Sequence, residues 1–101
     1  MDSPCKVFMV TLQLQPAPIE QFVQLLPYQQ TVIQRFTAEG KLLHYALSLD
    51  SHAIWMVFHA EDPREIPHWI TSFPICRACQ WQIHPLQNFN IPQKKLSSSL
   101  N

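Results

Sequence analysis

Two histidines, His44 and His84, are the side chains of this chain best suited to acid–base chemistry. Each occupies an alternate position in a short apolar stretch, so it shares a strand face with other polar residues. Imidazole titrates near neutral pH, and one of the two could therefore act as an acid or a base. The alternative interpretation is that each histidine is simply hydrogen-bonded within an interface.

Uncharged polar side chains are expected on the same strand faces as the histidines. Hydroxyl and amide groups can hydrogen-bond the oxygen atoms of a small ligand. We predict that these residues line a ligand cavity, and that a hydroxyl or amide among them bonds a carbonyl oxygen. They are Thr11, Gln13, Ser48, Gln80 and Gln82.

Cys76 and Cys79 form a C-x-x-C motif, which can mark a zinc or redox site. A structural zinc site needs four ligands, and the chain has no second C-x-x-C. A redox pair normally begins a helix, whereas this pair precedes a predicted strand. We favour a turn cysteine and a packed strand cysteine, and we predict neither a metal nor a cofactor. A single glycine, Gly40, also rules out a glycine-rich nucleotide loop.

The composition is that of one globular domain with few surface charges. Of the 101 residues, 47% are hydrophobic and only 14% are charged, which suggests that some surface is covered by a partner. The simplest partner is a second copy of the chain. A net charge of zero argues against a nucleic-acid partner. No stretch approaches the ~20 apolar residues of a membrane span, and without a signal-peptide pattern we expect a cytoplasmic protein with reduced thiols.

The elements that must position these residues follow the order β-α-β-β-α-β, the split-βαβ plan of an α+β domain. Strands are predicted over residues 6–15, 42–49, 53–60 and 78–84, and helices over residues 19–39 and from Asp62 to Phe73. Gly40 is expected to end the long helix in the left-handed conformation. Pro27, with Gln29 and Gln30 behind it, predicts a kink or break near Leu26.

Each predicted strand has one apolar face and one mixed face. The apolar faces should pack on the two helices. The mixed faces carry the histidines and their polar neighbours. These faces are too large to remain exposed to solvent and too polar to form an ordinary hydrophobic core. Pairing them with the same face of a second copy would enclose a mixed cavity between two sheets.

Several stretches resemble the muconolactone delta-isomerase family in their order and spacing. They are Gly40-Lys41-Leu42-Leu43-His44, the apolar residues 53–58, Glu65, and the run from Phe73-Pro74-Ile75 to Ile83-His84-Pro85-Leu86. The resemblance covers residues 1–86, more loosely before Gly40, and leaves residues 87–101 as a C-terminal tail or arm. It implies a ferredoxin-like α+β sandwich that forms a dimeric α+β barrel, as a homodimer or a larger ring. It also implies proton transfer on a small lactone without a cofactor.

The charged residues expected from this resemblance are missing. Thr11 stands in place of a carboxylate, Gln30 in place of a lysine and Leu47 in place of an arginine. Pro67 replaces a histidine, with His68 one position away, whereas His44 is retained. We therefore expect a muconolactone-isomerase-like protein that binds a small molecule, and the sequence leaves open whether it is an isomerase. The alternative is a non-catalytic dimerisation or ligand-binding module with a degenerate active site.

Overall fold

A computed structural model describes residues 6–15, 19–77 and 79–87 of the chain. The strands are β1 (Val7–Gln13), β2 (Leu42–Ser48), β3 (Ala53–His59) and β4 (Gln80–Leu86), and the helices are α1 (Ile19–Ala38) and α2 (Ile66–Ile70). Short 3₁₀ turns cover Pro63–Glu65 and Pro74–Cys76. The predicted tail lies outside the described residues from position 88 onward. No helix in the described part of the chain is long and apolar enough to cross a membrane.

The four strands form one antiparallel sheet in the order β2-β3-β1-β4. Both helices pack against one face of this sheet, which gives the predicted ferredoxin-like α+β sandwich. The central position of β3 follows from its sequence, because AIWMVFH offers apolar side chains to both faces. The predicted architecture is thus confirmed for a single chain.

The core lies between the helices and the apolar strand faces. Four aromatic rings form its centre, with centroids 5.1 to 6.3 Å apart, and they join α1, β3 and α2. They are Phe36, Phe58, Trp69 and Phe73. Burying each such side chain stabilises the fold by roughly 1.5–3 kcal/mol. This packing fixes which face of each strand turns away from the helices.

Helix α1 runs through Pro27 as one 20-residue helix. Of the predicted kink or break near Leu26, the break is therefore wrong, and the kink stays a prediction. Pro27 lies on the exposed side of the helix. The carbonyl left without an intrahelical donor belongs to Val23, which is 52% exposed, and water can reach it. The end of the helix is as predicted. Gly40 has φ of +75°, and Lys41 N–H donates to the Phe36 carbonyl at 2.9 Å, as in a Schellman motif.

The other element boundaries differ from the predictions by small shifts. The Asp62 carboxylate caps the first 3₁₀ turn by accepting from Arg64 N–H at 2.9 Å, and α2 starts only at Ile66. Strand β4 begins at Gln80 instead of position 78, because the second 3₁₀ turn extends as far as Cys76. Ala78, the predicted first residue of this strand, lies outside the described residues.

A bulge in β2 separates Leu42 from His44. It places Leu42, and not the predicted Leu43, in the core, where Leu42 is 3% exposed. Beyond the bulge the alternation is as predicted, because His44 pairs with Val57 and Tyr45 with Met56. His44 therefore lies on the sheet face away from the helices. Leu49 was expected in the apolar face but lies past the end of the strand, 60% exposed.

Candidate functional site

The sheet face opposite the helices, which we call the open face, carries every histidine and polar residue singled out from the sequence. Strand register places Thr11 between Trp55 on β3 and Gln82 on β4. Met9 lies between Val57 and His84 in the same way. Directly paired residues of antiparallel strands share a face, so these side chains are neighbours. The open face is therefore a mixed surface of polar and apolar groups.

Thr11 and His84 form a side-chain pair on this face. The Thr11 Oγ1 atom lies 3.4 Å from the His84 Nε2 atom. They belong to adjacent strands and are diagonal neighbours in the register. The hydroxyl can donate or accept, according to which ring nitrogen carries the proton. At 3.4 Å this contact is long for a hydrogen bond, and the imidazole ring stays exposed to a ligand.

A pocket of about 520 Å³ lies where β1 ends and β3 and β4 begin. Its polar lining consists of Thr11, Gln13, Ser51, Gln80 and Gln82. Its apolar lining consists of Leu12, Ala53, Trp55 and Trp81. The volume lies within the range of small-molecule sites. Four of the five predicted ligand-binding residues thus share one pocket, and the Thr11–His84 contact places one predicted catalytic histidine beside it.

Gln13, at the rim of this pocket, uses its side-chain N–H groups to stabilise a turn of the fold. Its Nε2 group donates to the His52 carbonyl at 3.0 Å and approaches the Ser51 carbonyl at 3.4 Å. These bonds hold the β2–β3 turn, in which His52 has a φ of 51°. The side-chain oxygen of Gln13 remains the atom that can accept from a ligand.

His44 and Ser48 lie apart from the pocket within one chain. Both are on β2, at the opposite edge of the sheet from β4. Three inter-strand steps of ~4.8 Å separate the edges, or roughly 14 Å. The Ser48 hydroxyl accepts from Ser51 N–H at 3.2 Å, which gives it a role in the turn. A single chain therefore does not bring the two histidines together.

Like Ser51, Trp55 is a pocket residue that sequence reasoning did not identify. It alternates with Ile54 and Met56, which are fully buried on the helix side, so it must face the other way. The apolar run of β3 obscured this alternation. Its ring gives the pocket a flat apolar wall opposite the amides of β4.

The open face carries no formal charge among the described residues. The ion pairs of the described residues are made by residues outside the pocket: Lys6 Nζ contacts Glu61 at 2.8 Å, Lys41 contacts Glu39 at 3.1 Å, and Arg64 contacts Asp62 at 2.8 Å. The hydrogen bond from Lys6 lowers the pKa of the Glu61 carboxyl. Within the described residues, no group of three or more potential ligands could hold a metal ion.

The two cysteines of the C-x-x-C lie on the helix side and not in the pocket. Cys76 is 1% exposed, and its sulfur is 3.8 Å from Gln29 Nε2. The hydrogen bond with Cys79, together with burial, raises the pKa of the Cys76 thiol. Cys79 donates to the Ile75 carbonyl at 3.4 Å. These contacts agree with the interpretation of a turn cysteine and a packed cysteine.

Comparison with known proteins identifies the family to which the chain belongs. A model of the muconolactone delta-isomerase family matches residues 7–91. A crystal structure of muconolactone isomerase at 3.3 Å resolution superposes with a TM-score of 0.67 and 17% sequence identity, over 82% of this chain and 90% of that one. A search of curated proteins found no significant match. At 17% identity, the structural similarity shows only that the two proteins share a fold. The family model, however, matches most of the chain. The chain therefore belongs to the muconolactone delta-isomerase family.

Proposed function

We propose that this protein binds a small, partly polar lactone or carbonyl compound on the open face and moves a proton on it without a cofactor. The observation that carries the proposal is the pocket of about 520 Å³ with the Thr11–His84 pair at its margin. Family membership supports the same chemistry. The finer assignment of roles rests on the geometry of the open face.

His84 is the proposed acid–base residue within one chain. A neutral imidazole takes a proton from the carbon next to the carbonyl and returns it at another carbon, which shifts the double bond. Negative charge then develops on the carbonyl oxygen. The Gln82 amide or the Thr11 hydroxyl donates to that oxygen, and such donors stabilise the charge where it forms. General acid–base catalysis of this kind contributes roughly 10²–10⁴-fold to a rate.

We further propose that a second copy covers the open face and makes the dimeric barrel. Met9 and Trp55, apolar members of this face that a single chain leaves half-buried, favour further burial against a partner. In a two-fold arrangement the β2 edge of one copy approaches the β4 edge of the other, so His44 would come near His84 of the second copy. His44 and Ser48 then join the site from across the interface. Exposed apolar residues of α1, including Val23 and Leu26, support a larger ring as a further step.

The experiment that tests the catalytic proposal is proton exchange on a small unsaturated lactone in D₂O, followed by NMR. Replacing His84 by Ala should lower the exchange rate by about 10²-fold or more. His68→Ala is the matched control, because His68 is an exposed histidine on α2, on the helix side of the sheet. Equal rates in the two variants would refute the role of His84.

A non-catalytic binding or dimerisation module is the second candidate. The absence of charged side chains from the described part of the open face favours it, because the charged groups expected in this family are missing there. It predicts binding with no proton exchange, or a cavity filled by side chains.

The cytoplasmic location, and the division into a domain of residues 1–86 with a tail or arm of residues 87–101, also stay proposals.

A further inference from the structure

We propose that the pocket on the open face selects an uncharged ligand, one with hydrogen-bonding oxygen atoms and a flat apolar part, and discriminates against carboxylates. This inference rests on the proposed function, since it concerns the ligand of the same pocket. It goes further by naming the ligand's charge, which bears directly on which lactones or carbonyl compounds the protein can use.

The chemistry of the lining carries the inference. The pocket has nine lining residues, and the polar ones are threonine, serine and glutamine only. The same neutrality extends over the whole open face of the described strands, whose outward positions carry no Asp, Glu, Lys or Arg. Its titratable groups are the three histidines His44, His59 and His84.

Binding of a carboxylate in this pocket would carry an unfavourable free energy of desolvation. The single chain leaves this pocket half-open to solvent. When the proposed second copy covers the open face, a bound carboxylate gives up its hydration in water, and a charge without a counter-charge is costly to bury. The amides of Gln80 and Gln82 offer donors but no positive charge. The donors of Gln13 are already directed to the His52 and Ser51 carbonyls. A neutral carbonyl or ester oxygen needs only the one or two hydrogen bonds that the lining supplies.

Trp55 and the neighbouring apolar residues favour a flat ring. The indole lies opposite Thr11 on one side of the pocket, so a planar ligand can lie against it while its oxygen reaches the hydroxyl or an amide. A second copy of the chain, placed on this face by two-fold symmetry, would bring the same neutral strand positions. The described strand positions of a second copy would therefore add no formal charge to the pocket.

The test compares two probes of almost equal shape, muconolactone, which carries a carboxylate, and its methyl ester, which does not. Both are titrated into the full chain by calorimetry at about pH 8, where a free imidazole is neutral. The ester should bind at least about ten-fold more tightly, a difference of about 1.4 kcal/mol. Tighter binding of the carboxylate would overturn this inference and leave the proposed function standing. Failure of both probes to bind would overturn the two together.

A charge introduced into the pocket should reverse the preference. Gln82→Lys supplies the missing counter-charge, and Gln80→Lys is the second variant should the first fail to fold. Each should raise affinity for the carboxylate by about ten-fold or more relative to the ester. Gln34→Lys is the control, since Gln34 is exposed on α1, remote from the open face. An unchanged preference in a folded pocket variant would mean that the ligand binds elsewhere and would refute the inference.

Discussion

Gln29 is the buried polar side chain of the described residues, and it joins three parts of the chain. Its Oε1 accepts from Ile75 N–H at 3.1 Å, and its Nε2 donates to the Tyr45 hydroxyl at 3.1 Å. In the sequence it looked like a polar interruption of the apolar stripe of α1. Its partners lie 16 and 46 residues away along the chain, so no local pattern could identify them.

Gln29→Ala should lower the free energy of unfolding by about 2 kcal/mol or more, because it leaves the buried Ile75 N–H and Tyr45 hydroxyl without their partner. Urea denaturation measures the change. The matched control is Gln30→Ala, since its neighbour Gln30 is exposed on the same helix. Equal stability losses in the two variants would contradict the role given to Gln29.

Tyr45 should make the protein sensitive to alkali. Burial raises the pKa of its hydroxyl, an effect that the hydrogen bond from Gln29 partly offsets. A group whose folded-state pKa is raised stabilises the fold below its unfolded pKa, and that stability is lost as the pH rises toward the folded pKa. The free energy of unfolding should thus fall between about pH 9 and 11.

The measurement is urea denaturation across this pH range for the parent chain and Tyr45→Phe. The variant should lose less stability at high pH, because phenylalanine cannot ionise. Tyr28→Phe serves as the control, since Tyr28 is 66% exposed. Parallel pH profiles for the parent and Tyr45→Phe would count against this account of Tyr45.

At the scale of the elements, alternation and turn chemistry predicted most of the sheet. Phe8, Val10 and Leu12 alternate with Met9 and Thr11, and this pattern places β1 correctly between a core face and the open face. The bulge at Leu43 carries no glycine or proline signal, so its effect on register was not predictable from local sequence. Of the pocket, the β1 and β4 polar residues were predicted. Ser51 and Trp55 were missed, because they come to it through turn geometry and cross-strand register.

Substitutions of Gly40 test how helix α1 is terminated. Gly40→Ala should lower the unfolding free energy by about 1 kcal/mol, because φ of +75° is costly for a residue with a Cβ. Steric contact is not the cause, since an added Cβ would meet no atom within 4 Å. Gly40→Asn should cost less, as asparagine tolerates this conformation better. A fully stable alanine variant in thermal or urea denaturation would show that another device ends the helix.

At the scale of the whole molecule, the account depends on a second copy covering the open face. The parent chain should sediment as a dimer or a larger assembly at low micromolar concentration. Met9→Asp places a charge in the middle of the proposed interface and should shift the protein toward monomer. Gln34→Asp is the control, because Gln34 is exposed on α1, remote from the open face. A monomeric parent chain would remove the enclosed chamber and the role of His44 across the interface.

The central claim is that a small ligand binds on the open face, in the pocket beside Thr11 and His84. Amide and side-chain NMR spectra of the isotope-labelled protein, titrated with the methyl ester of muconolactone, test it most directly. The account predicts shifts concentrated at Thr11, Gln82 and His84 and at the Trp55 indole N–H, with α1 unaffected. Shifts centred on the helices, or none at millimolar ligand, would contradict it.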